Sequence, residues 1–257
     1  MVINDRSIEY ERVFESEASV TAPDGSVTYR RDLLVCEHFM SLEVNGEQAA
    51  ELSCLADHLK ELVLGRLLTE GIIEGLDDVE SLFICGKGER AEVFLRPGID
   101  LKAFEGRERT CCTGNRQYLA GARGFKRLPG VKVDRNAVFE LTEFFRRDGD
   151  LHAQTAATHS ACLRLPSGEM LRFEDISRHN AIDKAVGSML LSGADPAGCI
   201  LCTTGRVPAD MAEKVIMSGI PVLVSKSVPT DRAVKLSSEY GLRLICRAWP
   251  DSYVEYM

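Results

Sequence analysis

No stretch of this chain approaches the ~20 consecutive apolar residues that a membrane-spanning helix needs. Its start, Met1-Val2-Ile3-Asn4-Asp5-Arg6, has no basic region followed by an apolar core. A cytoplasmic protein with no membrane partner is the expectation. Basic residues are outnumbered, 31 Lys and Arg against 39 Asp and Glu, giving a net charge of −8. A general nucleic-acid binder would carry a dominating basic face, so no nucleic-acid partner is expected. Repeats and low-complexity tracts are missing too. The nine cysteines are an odd number, and Cys85, Cys199, Cys202 and Cys246 lie inside apolar runs. That is not the framework of a disulfide-rich secreted domain, and most are expected buried and reduced. The ligand pattern of a deaminase zinc site, His-x-Glu with Pro-Cys-x-x-Cys, is absent. Cys199 and Cys202, three apart in a predicted strand, point to opposite faces. No metal held by protein ligands, zinc included, is expected.

What is present is ordinary globular composition: 257 residues, 45 % apolar and 27 % charged, enough for one large domain or two small ones. Residues 27–43 read as extended, and Asn45-Gly46 as a hairpin turn. Ser53 is expected to cap a helix whose Leu55, Leu59, Leu62, Val63 and Leu67 share one face, ending at Gly71. Strands at 79–85 and 91–95 flank a Gly86–Gly88 turn. Residues 103–132 carry seven Lys or Arg against two acids, a local +5, with little apolar periodicity. They read as a long, mobile, basic loop. An amphipathic helix follows from Asp134 to Gly149, then strands at 161–165 and 170–173 and a helix bearing Ile182, Ala185, Val186, Met189 and Leu190. Strands at 199–203, 221–225 and 242–247 alternate with helices at 208–218 and 229–240, the signature of a parallel β-α-β-α-β unit. The organisation expected is an N-terminal α+β part (1–102), the basic loop (103–133) and a C-terminal α/β part (134–257), packed as one unit.

In open parallel sheets ligands bind beyond the carboxyl ends of the strands. The loops there are Thr203-Thr204-Gly205-Arg206, Ser225-Lys226-Ser227-Val228-Pro229-Thr230 and Arg247-Ala248-Trp249-Pro250. Their hydroxyls, arginines and aromatic plane suit a phosphate and a flat heterocycle; the plainer reading of any one loop is N-cap chemistry. The run from Glu174 to Lys184, with Arg178, His179, Asn180 and Asp183, is dense in polar groups. Asn180 as a cap and Arg178 paired to an acid account for part of it. His159 is a further polar residue beside a strand, and alone reads as a structural histidine. Cys111 and Cys112 stand among arginines, where a thiol is stabilised as the nucleophilic thiolate. Two incidental thiols remain the alternative.

Residues 155–161, the run Arg178-His179-Asn180-Ala181-Ile182-Asp183-Lys184, Thr204-Gly205-Arg206, Gly219-Ile220-Pro221-Val222, Ser227-Val228-Pro229-Thr230 and Leu244-Ile245-Cys246-Arg247 resemble, in order, the motifs of the FdhD family of formate dehydrogenase accessory sulfurtransferases. The resemblance implies a cytidine-deaminase-like, three-layer α/β/α fold with a mixed sheet, and a homodimer. It implies a persulfide taken from a cysteine desulfurase and passed to the molybdenum cofactor (bis-molybdopterin guanine dinucleotide) destined for formate dehydrogenase. GDP is then a partial mimic of that ligand. The family's sulfur site is a Cys-x-x-Cys in a mobile loop; here Cys111-Cys112 has no cysteine two residues further on. Cys112, followed by Thr113-Gly114 as the first family cysteine is, becomes the first candidate and Cys111 the second. The family's cofactor segment falls on Ile245, Cys246, Arg247, Ala248, Trp249 and Pro250. With Thr204, Gly205, Arg206, Ser225, Ser227, Thr230, Arg178, His179, Asn180 and His159, these make the expected cofactor-binding set. A non-catalytic chaperone that holds the cofactor is the competing reading. A general thiol oxidoreductase lacks a Cys-x-x-Cys at a helix start and ranks last.

Overall fold

The computed structural model describes residues 1–8, 10–99 and 124–256, and the backbone of 109–110 and 116–117. The N-terminal part contains β1 (Val2–Asp5), β2 (Val13–Thr21), β3 (Val27–Val35), β4 (His38–Val44), β5 (Glu47–Cys54), α1 (Leu59–Thr69), β6 (Val79–Ile84) and β7 (Arg90–Leu95). Five of these strands form one sheet in the order β1-β6-β7-β4-β5, while β2 and β3 form a separate two-stranded pair. At the β4–β5 turn Asn45 and Gly46 have φ of 52° and 81°, the two left-handed residues a type I′ turn requires.

Ser53 does not cap a helix. It lies in β5, paired with Phe39 of β4, and its hydroxyl donates to Glu37. Strand pairing carries the chain to Cys54, so α1 starts only at Leu59, after a His58 with φ of 50° and no side-chain capping bond. Leu59, Leu62, Val63 and Leu67 are buried as the periodicity requires.

Within the basic segment β8 (Arg109–Thr110) pairs antiparallel with β9 (Arg116–Gln117). Its last residues lie against the C-terminal part: Leu128 is buried, and its N–H donates to the Tyr240 carbonyl at 2.8 Å. Next come α2 (Arg135–Arg146), α3 (Asp150–Thr155), β10 (His159–Arg164), β11 (Met170–Asp175), α4 (Arg178–Ser192), β12 (Ile200–Thr203), α5 (Ala209–Ser218), β13 (Val222–Ser225), α6 (Asp231–Tyr240), β14 (Arg243–Trp249) and β15 (Ser252–Tyr256). Asp134 caps α2 by accepting the Asn136 N–H at 2.9 Å. The sheet order is β11-β10-β12-β13-β14-β15. β12, β13 and β14 run parallel; the other pairings are antiparallel.

Alternation along each strand divides this sheet between two cores. Leu163, Leu201, Leu223 and Leu244 face α4, α5 and α6, in a cluster that continues through α1 to Met40, Leu52 and Val93 of the five-stranded sheet. Cys162, Cys202, Val224 and Ile245 face α2, through Val138, Leu141 and Phe145. The C-terminal part is therefore three layers, α/β/α. Cys199 packs in the first core and Cys202 in the second, the divergence expected of residues three apart in a strand. Helices α1 and α4 touch at glycines. A Cβ on Gly65 would stand 1.8 Å from the Asp183 carbonyl oxygen, and one on Gly187 1.9 Å from that of Glu61. Among the described residues no helix is long and apolar enough to cross a membrane.

Candidate functional site

The carboxyl ends of β12, β13 and β14 are tied together by their own loops. Val207 bridges Pro229 in parallel. Lys226 N–H donates to the Thr203 carbonyl at 3.2 Å and Arg247 N–H to that of Ser227 at 2.8 Å. The Ser225 hydroxyl donates to the Gly205 carbonyl at 2.8 Å and accepts the Ser227 N–H at 3.0 Å. Thr230 caps α6 by accepting the Ala233 N–H at 3.3 Å. Ser225 and Thr230 are thus engaged by backbone, which makes the edge rigid. Thr204 does the same across the sheet, accepting the Ser160 N–H at 3.1 Å.

Residues 247–249 are not a loop. They continue β14, which carries a register shift between Cys246 and Trp249 where it pairs with β15. Arg247 sits in that irregularity with φ of 49°, a conformation disfavoured for a residue with a Cβ and characteristic of sites where a side chain is re-aimed. Of the segment 245–250, Ile245, Cys246 and Ala248 are core residues, whereas Arg247 is exposed and Trp249 is 46 % exposed. Two side chains of the expected set are therefore presented outward here. Arg206 is exposed on the neighbouring loop. Among the described residues neither arginine has a carboxylate partner.

The run 174–184 lies at the same end of the sheet, because β11 and α4 meet there. Asn180 is not a cap: it is 1 % exposed, and its amide donates to the Ser53 carbonyl at 2.8 Å and to Asp175 at 3.0 Å. The helix is preceded by Ser177, whose side chain makes no capping bond. Lys184, fully buried, reaches Asp175 at 2.8 Å, Asp57 at 2.6 Å and the Glu174 carbonyl at 3.1 Å. Asp183 binds Lys214 at 2.9 Å and the Thr69 hydroxyl at 2.7 Å. This polar density is mostly scaffold: each buried charge is matched, and the matches to Asp57, Thr69 and Lys214 join segments distant in sequence.

His179 differs. Its Nε2 lies 3.0 Å from Asp210 Oδ2, joining the first turns of α4 and α5. Burial pushes its pKa down, partly offset by Asp210. Burial alone would raise Asp210, but the hydrogen bond and charge of His179 outweigh it and hold the carboxyl below its ordinary value. His159 is also lowered, by burial and then by Arg178 and the other histidines nearby. Arg178 packs against Gly205, where a Cβ would meet its side chain at 3.3 Å. The fold thus brings His159, Arg178, His179, residues 204–206, Ser225, Ser227, Thr230, Arg247 and Trp249 to one edge, with Asn180 beneath it. Two residues outside the expected set join them, Asp210 and Lys226. Asp210 gives no local signal; Lys226 follows β13 immediately.

Cys111 and Cys112 lie outside the described residues. Five other cysteines are core thiols. Burial raises all of them: Cys199 to about 11, Cys162 and Cys246 to about 12, and Cys54 and Cys202 further. Such groups stay protonated and make poor sulfur nucleophiles. Two cavities are lined by other residues. One of about 580 Å³ sits at the opposite end of the sheet, beside Pro196 and Gly219. One of about 550 Å³ lies between α2, β11 and the segment before α1, beside Asp57 and Arg172.

A model of the FdhD/NarQ family matches residues 35–257. The chain belongs to that family. Among its curated members, a sulfur carrier protein FdhD of Sulfurisphaera tokodaii is 36 % identical over 189 residues, covering 72 % of this chain and 73 % of its own. That of Shouchella clausii is 30 % identical, covering 83 % and 84 %, and that of Streptomyces avermitilis 29 % identical, covering 91 % and 90 %. A crystal structure from Desulfotalea psychrophila, described as a formate dehydrogenase accessory protein, superposes with a TM-score of 0.74 over 96 % of this chain and 97 % of its own. At 21 % identity that likeness speaks for the fold alone, and it agrees with the mixed α/β architecture read from the sequence.

Proposed function

We propose that this chain is a sulfur carrier for the maturation of formate dehydrogenase, accepting persulfide sulfur on Cys112, with Cys111 as the second candidate. In the transfer, the Cys112 thiolate attacks the terminal sulfur of a cysteine desulfurase persulfide. The donor's S–S bond breaks, its thiolate leaves, and Cys112 holds the new S–S bond. The observation that carries the reading is the state of the other cysteines. Five are buried thiols with raised pKa, and Cys36 and Cys85 are single half-buried thiols; Cys111-Cys112, set in sequence between Arg109 and Arg116, is the adjacent pair in basic surroundings. The names of the curated relatives support it.

The acceptor is the bis-molybdopterin guanine dinucleotide form of the molybdenum cofactor, as bound substrate. Arg206 and Arg247 hold its phosphates, and the N-termini of α5 and α6 add the positive ends of two helix dipoles. Among the described residues neither arginine has a carboxylate partner, which fits such a ligand. The cytoplasm as location and a homodimer as assembly follow from the same reading. Mass spectrometry after incubation with a desulfurase and cysteine tests it: an addition of about 32 Da per sulfur atom is expected on the peptide containing Cys111-Cys112. An unmodified peptide would favour the second reading, a non-catalytic chaperone for the cofactor, which the adjacent rather than spaced cysteines support.

A further inference from the structure

Lys226 follows the end of β13. Its ammonium stands 5.0 Å from the ring centre of Phe145 and 5.8 Å from that of Trp249. The only oxygen it reaches among the described residues is the Arg146 carbonyl, at 3.5 Å, too long for a strong hydrogen bond. No carboxylate pairs with it there. This contrasts with Lys184 and Lys214, each matched to a buried acid. Ring faces attract a cation without neutralising it. Burial lowers the pKa of Lys226, and Arg172 adds to that, against Asp148 and Cys202. Arg206 and Arg247 flank it at the ends of β12 and β14. With strands ~4.8 Å apart, the three cations span roughly 10 Å.

We propose that Lys226 is a specificity-determining residue of this edge: the ligand's phosphoryl oxygens supply the counter-charge that no carboxylate among the described residues provides, and Trp249, with Lys226 over its ring, stacks the ligand's planar heterocycle. The ligand class is a nucleoside diphosphate or a molecule containing one. The inference rests on the cofactor-edge reading above and adds a residue to it. Placing the cation between neighbouring strand ends favours a diphosphate, which reaches more than one of the three charges.

Trp249 is the only tryptophan of the chain, so intrinsic emission reports on this edge. The full-length protein is titrated with GDP and with inorganic pyrophosphate, by emission and, for Trp249 variants, by calorimetry. Lys226→Met is expected to bind both about ten- to a hundredfold more weakly, the loss of one charge-assisted hydrogen bond. Lys226→Arg should restore part of the affinity, because the charge returns with altered geometry. Trp249→Leu should weaken GDP and leave pyrophosphate unchanged, a pattern that a general loosening of the fold does not produce. Should Lys226→Met melt early, Lys226→Gln, which keeps the length and loses the charge, is read instead. Wild type that binds GDP with Lys226→Met binding it equally overturns the role of Lys226 and leaves the edge reading intact. Wild type that binds neither ligand overturns both.

Discussion

Replacing Lys184 by Met removes the charge at the centre of the buried network and retains most of the side-chain volume. Its ammonium is fully buried and meets Asp175 at 2.8 Å and Asp57 at 2.6 Å. Without it Asp175, also fully buried, keeps only the N–H groups of Leu55 and Ser177 and the Asn180 amide as donors. Asp57 is less affected, since its side chain is 21 % exposed and still faces Arg12 at 3.3 Å. Stranding one buried carboxylate costs about 3–5 kcal/mol, which in a chain of this size lowers Tm by about 6–20 °C. Urea unfolding followed by far-ultraviolet circular dichroism measures it. Asp175→Asn in the same chain should recover part of the loss. A single-variant loss below about 1 kcal/mol would refute the claim that this pair is desolvated and mutually compensating.

The α1–α4 contact predicts that Gly187→Ala, whose Cβ would lie 1.9 Å from the Glu61 carbonyl oxygen, forces the helices apart and costs about 3 kcal/mol or yields no soluble protein; normal Tm and expression would contradict it. His159 and His179 have lowered pKa values in the folded state, so their contribution is present above the unfolded-state pKa of about 6.5 and is lost as pH falls through the folded values. Stability should therefore decline below pH ~6.5, and His179→Asn should flatten that slope; an unchanged slope assigns the acid limb to other groups. Cys112→Ala is expected to abolish formate dehydrogenase maturation at unchanged Tm. Cys199→Ala should cost about 1 kcal/mol of stability with sulfur loading intact. Active enzyme in cells carrying Cys112→Ala, with none in Cys111→Ala, would exchange the two cysteines.

The alternating pattern from residue 161 onward determined β10 to β14 and α4 to α6, because runs such as Ile200-Leu201-Cys202-Thr203 and Val222-Leu223-Val224-Ser225 are too short and too uniformly apolar for anything but buried parallel strands. Asn45-Gly46 determined its own turn for an equally local reason, two residues that tolerate positive φ. Membership of the family was legible in the same stretches. The functional edge was legible in part: strand order alone puts 204–206, 225–230 and 247–250 together. Tertiary structure decided which of those side chains are available. Ser225 and Thr230 are engaged by backbone, Ile245, Cys246 and Ala248 are buried, and Lys226 gains its place only because α2 brings Phe145 beneath it. It also decided Ser53 and Asn180. Each looks like a helix cap within ten residues of sequence, yet Ser53 pairs in β5 and its carbonyl accepts the Asn180 amide across 127 positions. Hydrogen bonds and ion pairs between such distant segments leave no periodicity in the chain. A local pattern states which face of an element is buried, and only packing states what it is buried against.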